Sequence, residues 1–228
     1  MSKTLGILGG MGPMATVTLF KKVISMTRAN CDQEHIHQII DSNTQIPDRT
    51  SYILGKGEDP APYLVESALR LEKMGADFII MPCNTAHYFY ERITQSIGIP
   101  LLNMVELTAE FSFDTCGSNA KVGLLATDGT CSSGVYDKYF ELQNTELVKP
   151  DPDFQRLIMD FIYGIKKGSD ADIDKLINAV QNLRDKGAQT FILGCTELSF
   201  AKDEYSLKGN FIDPLNVIAQ RAVEFALG

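Results

Sequence analysis

The sequence lacks a run rich in lysine or arginine, any zinc-type spacing of cysteine or histidine, and an apolar stretch free of breakers. Each absence removes a class of function. A net charge of −8 and a pI near 4.9, with no basic patch to offset them, set the chain against nucleic acid and anionic membrane as partners. Cysteines stand at 31, 83, 116, 131 and 195, neither as CxxC pairs nor beside an HxxxH, so no metal site is expected. An odd cysteine count in a chain of 228 residues, too long to need staples, reads as reduced thiols and a cytoplasmic protein. Residues 4–20 carry no charge, but Gly9, Gly10, Gly12 and Pro13 interrupt them, which excludes a membrane span or a signal core.

What is present is ordinary globular material: 44% hydrophobic and 22% charged residues, enough for one large core or two small ones. TLGIL (4–8) reads as a buried strand running into the glycine turn GGMG, with Pro13 at the first position of a helix reaching about Arg28. HIHQIID (35–41) reads as a second strand. The turn-rich segment 42–60 is too long for an idle connection and is expected to carry function. A helix over about 61–74 precedes the strand ADFIIM, the CNTAH turn and a helix to about Ser96. IPLLNM (99–104) is expected as a fourth strand and VELTAEFSF as a helix. Alternation of this kind predicts an α/β fold, with parallel sheets flanked by helices.

The second half repeats the plan. KVGLLATDGT (121–130) is again an apolar strand entering a glycine-containing turn, and KGAQTFILGCTEL aligns without a gap on MGADFIIMPCNTA. Gly75 then pairs with Gly187 and Cys83 with Cys195. IPLLNMVELTAEF and NFIDPLNVIAQRAVEF also run in parallel. A repeat of about 110 residues implies duplication of one α/β unit. Two pseudo-symmetric domains are expected, 1–115 carrying Cys83 and 116–228 carrying Cys195, with the last helix a candidate to pack back on the first. Only 143–185 lacks a clean counterpart.

A cysteine behind an apolar run is ordinarily a small buried hydrophobe, and Cys31, Cys116 and Cys131 are read that way. Cys83 and Cys195 differ. Each stands at the carboxyl end of a parallel strand, where open α/β sheets bind ligands, and each is expected to open onto a helix N-terminus that favours thiolate. Two such thiols suit inversion of a stereocentre bearing a weakly acidic hydrogen: a thiolate removes the proton from one face while a thiol returns one to the other. Repulsion between like charges keeps the pair singly protonated.

GGMGPMAT, IPDRT, PCNTAH, IYGIKKG and GCTEL together resemble the aspartate racemase branch of the aspartate/glutamate racemase family, over nearly the whole chain. The resemblance implies a pyridoxal-independent, cofactor-free isomerase, usually a homodimer, that interconverts enantiomers of an acidic amino acid at a site between two pseudo-symmetric domains. Carried onto this sequence, it makes Cys83 and Cys195 the proton-transfer pair. Asn84, Thr85, Thr127, Thr130 and Thr196 would bind the substrate's amino and carboxylate groups, and Met11 would line the pocket through its backbone. Arg49 and Lys166 would hold the carboxylates, supplying the placed cations that an acidic protein needs for a dianion. Glu197 is a possible assisting group, or equally a helix-start acid, and His87 reads as a helix residue. Glutamate racemases of the wider group carry Asp-Ser where this chain has Gly9-Gly10, and histidine where it has Glu197; both departures favour aspartate.

Rival readings remain at this level. Gly10-x-Gly12-x-x-Ala15 after a strand, with Asp41 ending the next, fits a dinucleotide-binding oxidoreductase, although Pro13 removes an N–H that a pyrophosphate would use. A broad-specificity amino-acid racemase or a maleate cis–trans isomerase would use the same two-thiol architecture.

Overall fold

The computed structural model describes residues 2–168 and 172–228. The chain forms two compact units, Met1–Met104 with Leu215–Gly228, and Val105–Pro214. In the first, β1 (Leu5–Gly9) leads into α1 (Pro13–Met26), followed by β2 (Gln38–Ser42), α2 (Arg49–Ile53), α3 (Ala61–Lys73) and β3 (Phe78–Ile80). A short 3-10 turn (Thr85–Phe89), α4 (Tyr90–Thr94) and the start of α5 (Met104–Cys116) follow. The strands are parallel in the order β2-β1-β3. All residues of β1 and β3 are buried, the continuous apolar pattern of strands covered on both faces.

The second unit runs β4 (Lys121–Ala126), α6 (Asp128–Ser133), α7 (Asp137–Leu142), β5 (Glu146–Val148), α8 (Pro152–Lys166), α9 (Ile173–Asp185), β6 (Thr190–Gly194), α10 (Thr196–Glu204) and β7 (Asn210–Ile212). Its parallel sheet has the order β5-β4-β6-β7. The closing helix α11 (Pro214–Leu227) belongs to the first unit, where Phe225 meets Phe78 at 4.8 Å between ring centroids and Ala226 O accepts from Lys3 N at 2.9 Å. Each unit has its own core, one around Leu8, Leu64, Ile79 and Phe89, the other around Leu125, Phe161, Leu183 and Phe191.

The expected α/β fold with two parallel sheets flanked by helices is the one found, and the repeat is visible in the sheets. β1, β2 and β3 correspond in order to β4, β5 and β6. Gly75 and Gly187 both take positive φ, 93° and 96°, to end the helix that feeds the cysteine-bearing strand, which is why the two glycines align. The stretch 143–185 holds β5, α8 and α9. Of these, α8, with 15 residues, stands in the chain where the first unit has the five-residue α2.

Two expectations are corrected. IPLLNM is not a fourth strand: Leu101 makes one parallel bridge to Ile79, with Ile79 N donating to Pro100 O at 2.8 Å and Leu102 N to Ile79 O at 2.9 Å. Pro100 contributes no N–H and α5 starts at Met104, so the ladder stops there. The segment after Cys83 is not one helix but the 3-10 turn followed by the five residues of α4.

Candidate active site

In the first unit the candidate residues gather at the carboxyl ends of three paired strands. Met11 follows β1, Arg49 follows β2, and Cys83, Asn84 and Thr85 follow β3. The glycine turn exists for close packing. Gly9 lies against Thr16, where a Cβ would come within 2.4 Å of its side chain; Gly10, at φ 93°, would meet the Asn43 backbone at 2.3 Å. Thr16 Oγ1 also accepts from Gly10 N at 2.9 Å. Asp41, the acid a dinucleotide ribose would need, pairs with Arg70 Nε at 3.0 Å. Both features on which the oxidoreductase reading leaned thus have structural work of their own.

Cys83 is 8% exposed, Asn84 3% and Thr85 6%. Arg49 opens α2 and donates through Nη1 to the carbonyls of Ile46 (3.2 Å) and Pro47 (3.0 Å). Its Nε is buried and has no hydrogen-bond partner among the described residues. A buried donor left unmade is costly, and a carboxylate is the acceptor that a guanidinium edge fits best.

His87, four residues after Cys83, emerges as part of the same site. Its Nδ1 lies 2.8 Å from Cys83 O and its Nε2 accepts from Met104 N at 3.1 Å. The acceptor role of Nε2 fixes the proton on Nδ1, so the ring is a neutral brace holding the Cys83 carbonyl. Burial pushes its pKa down from 6.5 to about 4, against hydrogen bonds to the Cys83 and Asn84 backbone that act the other way. The i, i+4 spacing from Cys83 was the available signal; the Met104 partner was not visible in sequence.

In the second unit, β4 and β6 pair as far as Ala126 and Gly194, and the candidates follow directly. Thr127 caps α6, its Oγ1 accepting from Thr130 N at 3.3 Å and lying 3.2 Å from Thr130 Oγ1. Thr130 is fully buried and so orients Thr127. Cys195, 9% exposed, is the N-cap of α10. Its Sγ donates to Glu197 Oε2 at 2.9 Å, and Thr196 Oγ1 donates to the same oxygen at 3.3 Å. Lys166, at the end of α8, reaches Glu197 Oε1 at 3.9 Å, with the Tyr163 ring 5.3 Å from its Nζ.

The two thiols thus differ in setting. Cys195 heads a nine-residue α-helix, whereas Cys83 precedes only a 3-10 turn, so the expected helix-end stabilisation applies to Cys195 alone. There the Glu197 carboxylate opposes it: a unit charge at 4 Å is worth about 4 kcal/mol near a protein surface, against roughly 0.3–1 kcal/mol from a helix terminus, and Lys166 Nζ, 3.9 Å from Glu197 Oε1, offsets part of that charge. Among the described residues no group of three or more potential ligands is arranged for a metal ion, and no helix is long and apolar enough to cross a membrane.

Two α/β units, each with a parallel sheet that delivers a cysteine and hydrogen-bonding residues at its strand ends, define a duplicated α/β enzyme scaffold. The Asp/Glu/hydantoin racemase family model matches residues 8–222, and the chain belongs to that family. It is 31% identical to the aspartate racemase of Picrophilus torridus, with a TM-score of 0.84, covering 98% of this chain and 94% of that one. The broad specificity amino-acid racemase RacX of Bacillus subtilis strain 168 is 29% identical over 227 residues, 96% of each chain. Glutamate racemase from Francisella tularensis subsp. tularensis SCHU S4, in complex with D-glutamate, shares the fold at 19% identity and a TM-score of 0.73, covering 99% of this chain and 81% of that one.

Proposed function

We propose that this protein racemises an acidic amino acid, aspartate first, without a cofactor, using Cys83 and Cys195 as the proton-transfer pair. The observation that carries the reading is the duplicated strand-end cysteine, one per parallel sheet, in a chain of the racemase family. One thiolate takes the α-proton, leaving the electron pair on the α-carbon and its carboxylate; the other thiol supplies a proton to the opposite face. Strand-end amides and the hydroxyls of Thr85, Thr127 and Thr196 stabilise the charge as it develops. Arg49, with its unsatisfied Nε, holds one carboxylate, and Lys166 supplies the second cation. The likeness to the Picrophilus aspartate racemase supports aspartate. The comparable likeness to RacX supports a second reading, a broader substrate range. A homodimer in the cytoplasm belongs to the same proposal, checked by light scattering and fractionation.

Incubation with L-aspartate in D₂O, with EDTA and without pyridoxal phosphate, should yield D-aspartate carrying deuterium at the α-carbon. Cys83→Ala and Cys195→Ala should each reduce racemisation by at least about 100-fold. Retained activity in either variant would remove the two-thiol mechanism. Turnover of alanine or lysine at rates near that of aspartate would establish the broader range.

A further inference from the structure

We propose that the two thiols are unequal in the free protein. Glu197 holds Cys195 as the neutral thiol, so Cys195 is the member of the pair set to give a proton and Cys83 the one left to take it. This rests on reading the two cysteines as an acid–base pair. Burial does not distinguish them, at 8% and 9% exposure. Their polar surroundings do. Cys195 Sγ donates to a carboxylate at 2.9 Å, while Cys83 Sγ makes no side-chain hydrogen bond among the described residues.

Ionising Cys195 would place a thiolate against Glu197 and break the hydrogen bond that its proton makes. Among the described residues, the other groups at that carboxylate are Thr196 Oγ1 from its own helix and Lys166 Nζ from α8. Lys166 faces Oε1, the oxygen that Cys195 does not use, and so sustains the carboxylate that keeps the thiol protonated. In one turnover Cys83 Sγ forms S–H as the substrate C–H breaks, and Cys195 S–H gives its proton to the other face. This leaves a thiolate beside Glu197. A proton must then pass from Cys83 to Cys195 before the resting form returns, and Glu197 drives that return.

Racemisation has an equilibrium constant of unity, so kcat/KM is the same in both directions and cannot display the inequality. Thiol reactivity in the free protein does. Initial rates of iodoacetamide labelling, read peptide by peptide by mass spectrometry from pH 6 to 10, give a midpoint for each cysteine. Cys131 supplies an inert reference, its thiol pushed up to about 12 by burial, and exposed Cys31 an open one.

Cys83 should label about tenfold faster than Cys195 near pH 7, with the lower midpoint. Glu197→Gln should lower the Cys195 midpoint by about one unit, and Glu197→Asp should restore much of it. Lys166→Gln should not lower it. A Cys195 midpoint at or below that of Cys83, or one unmoved by Glu197→Gln in protein of unchanged circular dichroism, would overturn the proposal. Failure to racemise aspartate would strike the functional reading and leave these midpoints standing.

Discussion

Arg49 concentrates the residue-scale argument. Its Nη1 is spent on two backbone carbonyls while its Nε is buried without a partner among the described residues, so the guanidinium is fixed in place with one edge unsatisfied. Arg49→Lys keeps the charge and loses the rigid fork. It should raise KM for aspartate roughly 10- to 100-fold, the size of a lost charge-assisted hydrogen bond, with a smaller change in kcat. Steady-state kinetics on aspartate and on alanine would check this, the alanine parameters moving less where that substrate is turned over. Cys83 and Cys195 stand out in the sequence because motif and repeat both point at them, and Arg49 only through the family resemblance. His87 was not, because a histidine four residues after a cysteine looks like any helix residue until Met104 N is found at its far nitrogen. Glu197 was half legible. Its position beside Cys195 is plain, but an acid in the first turn of a helix ordinarily serves its own amides, and only the folded rotamer turns it back to the sulfur.

At the scale of elements, the turn after β1 separates two glycines that look alike in sequence. Gly10 needs its positive φ and leaves no room for a Cβ against Asn43, whereas Gly12, at φ −95°, has nothing within 4 Å. Gly10→Ala should lower unfolding stability by about 2 kcal/mol or more, and Gly12→Ala by less than about 0.5 kcal/mol, in urea titrations followed by far-ultraviolet circular dichroism. Equal losses would remove the packing account of the turn. The same turn shows why sequence admitted a nucleotide reading: Gly-x-Gly-x-x-Ala specifies close approach, and not what approaches. Strands β1, β3, β4 and β6 were legible because parallel strands covered on both faces are unbroken apolar runs. IPLLNM carries a similar pattern, but Pro100 and the start of α5 limit it to one bridge. A strand needs a partner for each N–H, and apolar character alone does not supply one.

For the whole molecule, the clearest consequence lies in acid. The unfolded chain titrates His87 near 6.5, while in the fold, burial holds it at about 4. Between those values the unfolded state takes up a proton that the folded state refuses. The contribution is therefore complete above pH 6.5, declines as pH falls, and is fully lost below about 4. Its full size is roughly 3 kcal/mol, and about 2 kcal/mol of it should vanish between pH 7 and pH 5, a large share of the 5–15 kcal/mol that a folded protein has. Other groups act beside it. The Lys186 and Asn182 hydrogen bonds hold Asp151 below the usual carboxylate range, so its loss comes at lower pH, beneath the histidine's window, and is small because that side chain is exposed. Burial raises Glu106, which favours the fold as pH falls, and acidification also relieves the net charge of −8. The histidine is isolated by difference. His87→Gln removes the titration and leaves the rest, so wild type should lose about 2 kcal/mol more than the variant on going from pH 7 to pH 5. Parallel losses in the two proteins would mean that the ring is protonated in the fold, and the neutral brace between the Cys83 carbonyl and the start of α5 would have to be abandoned.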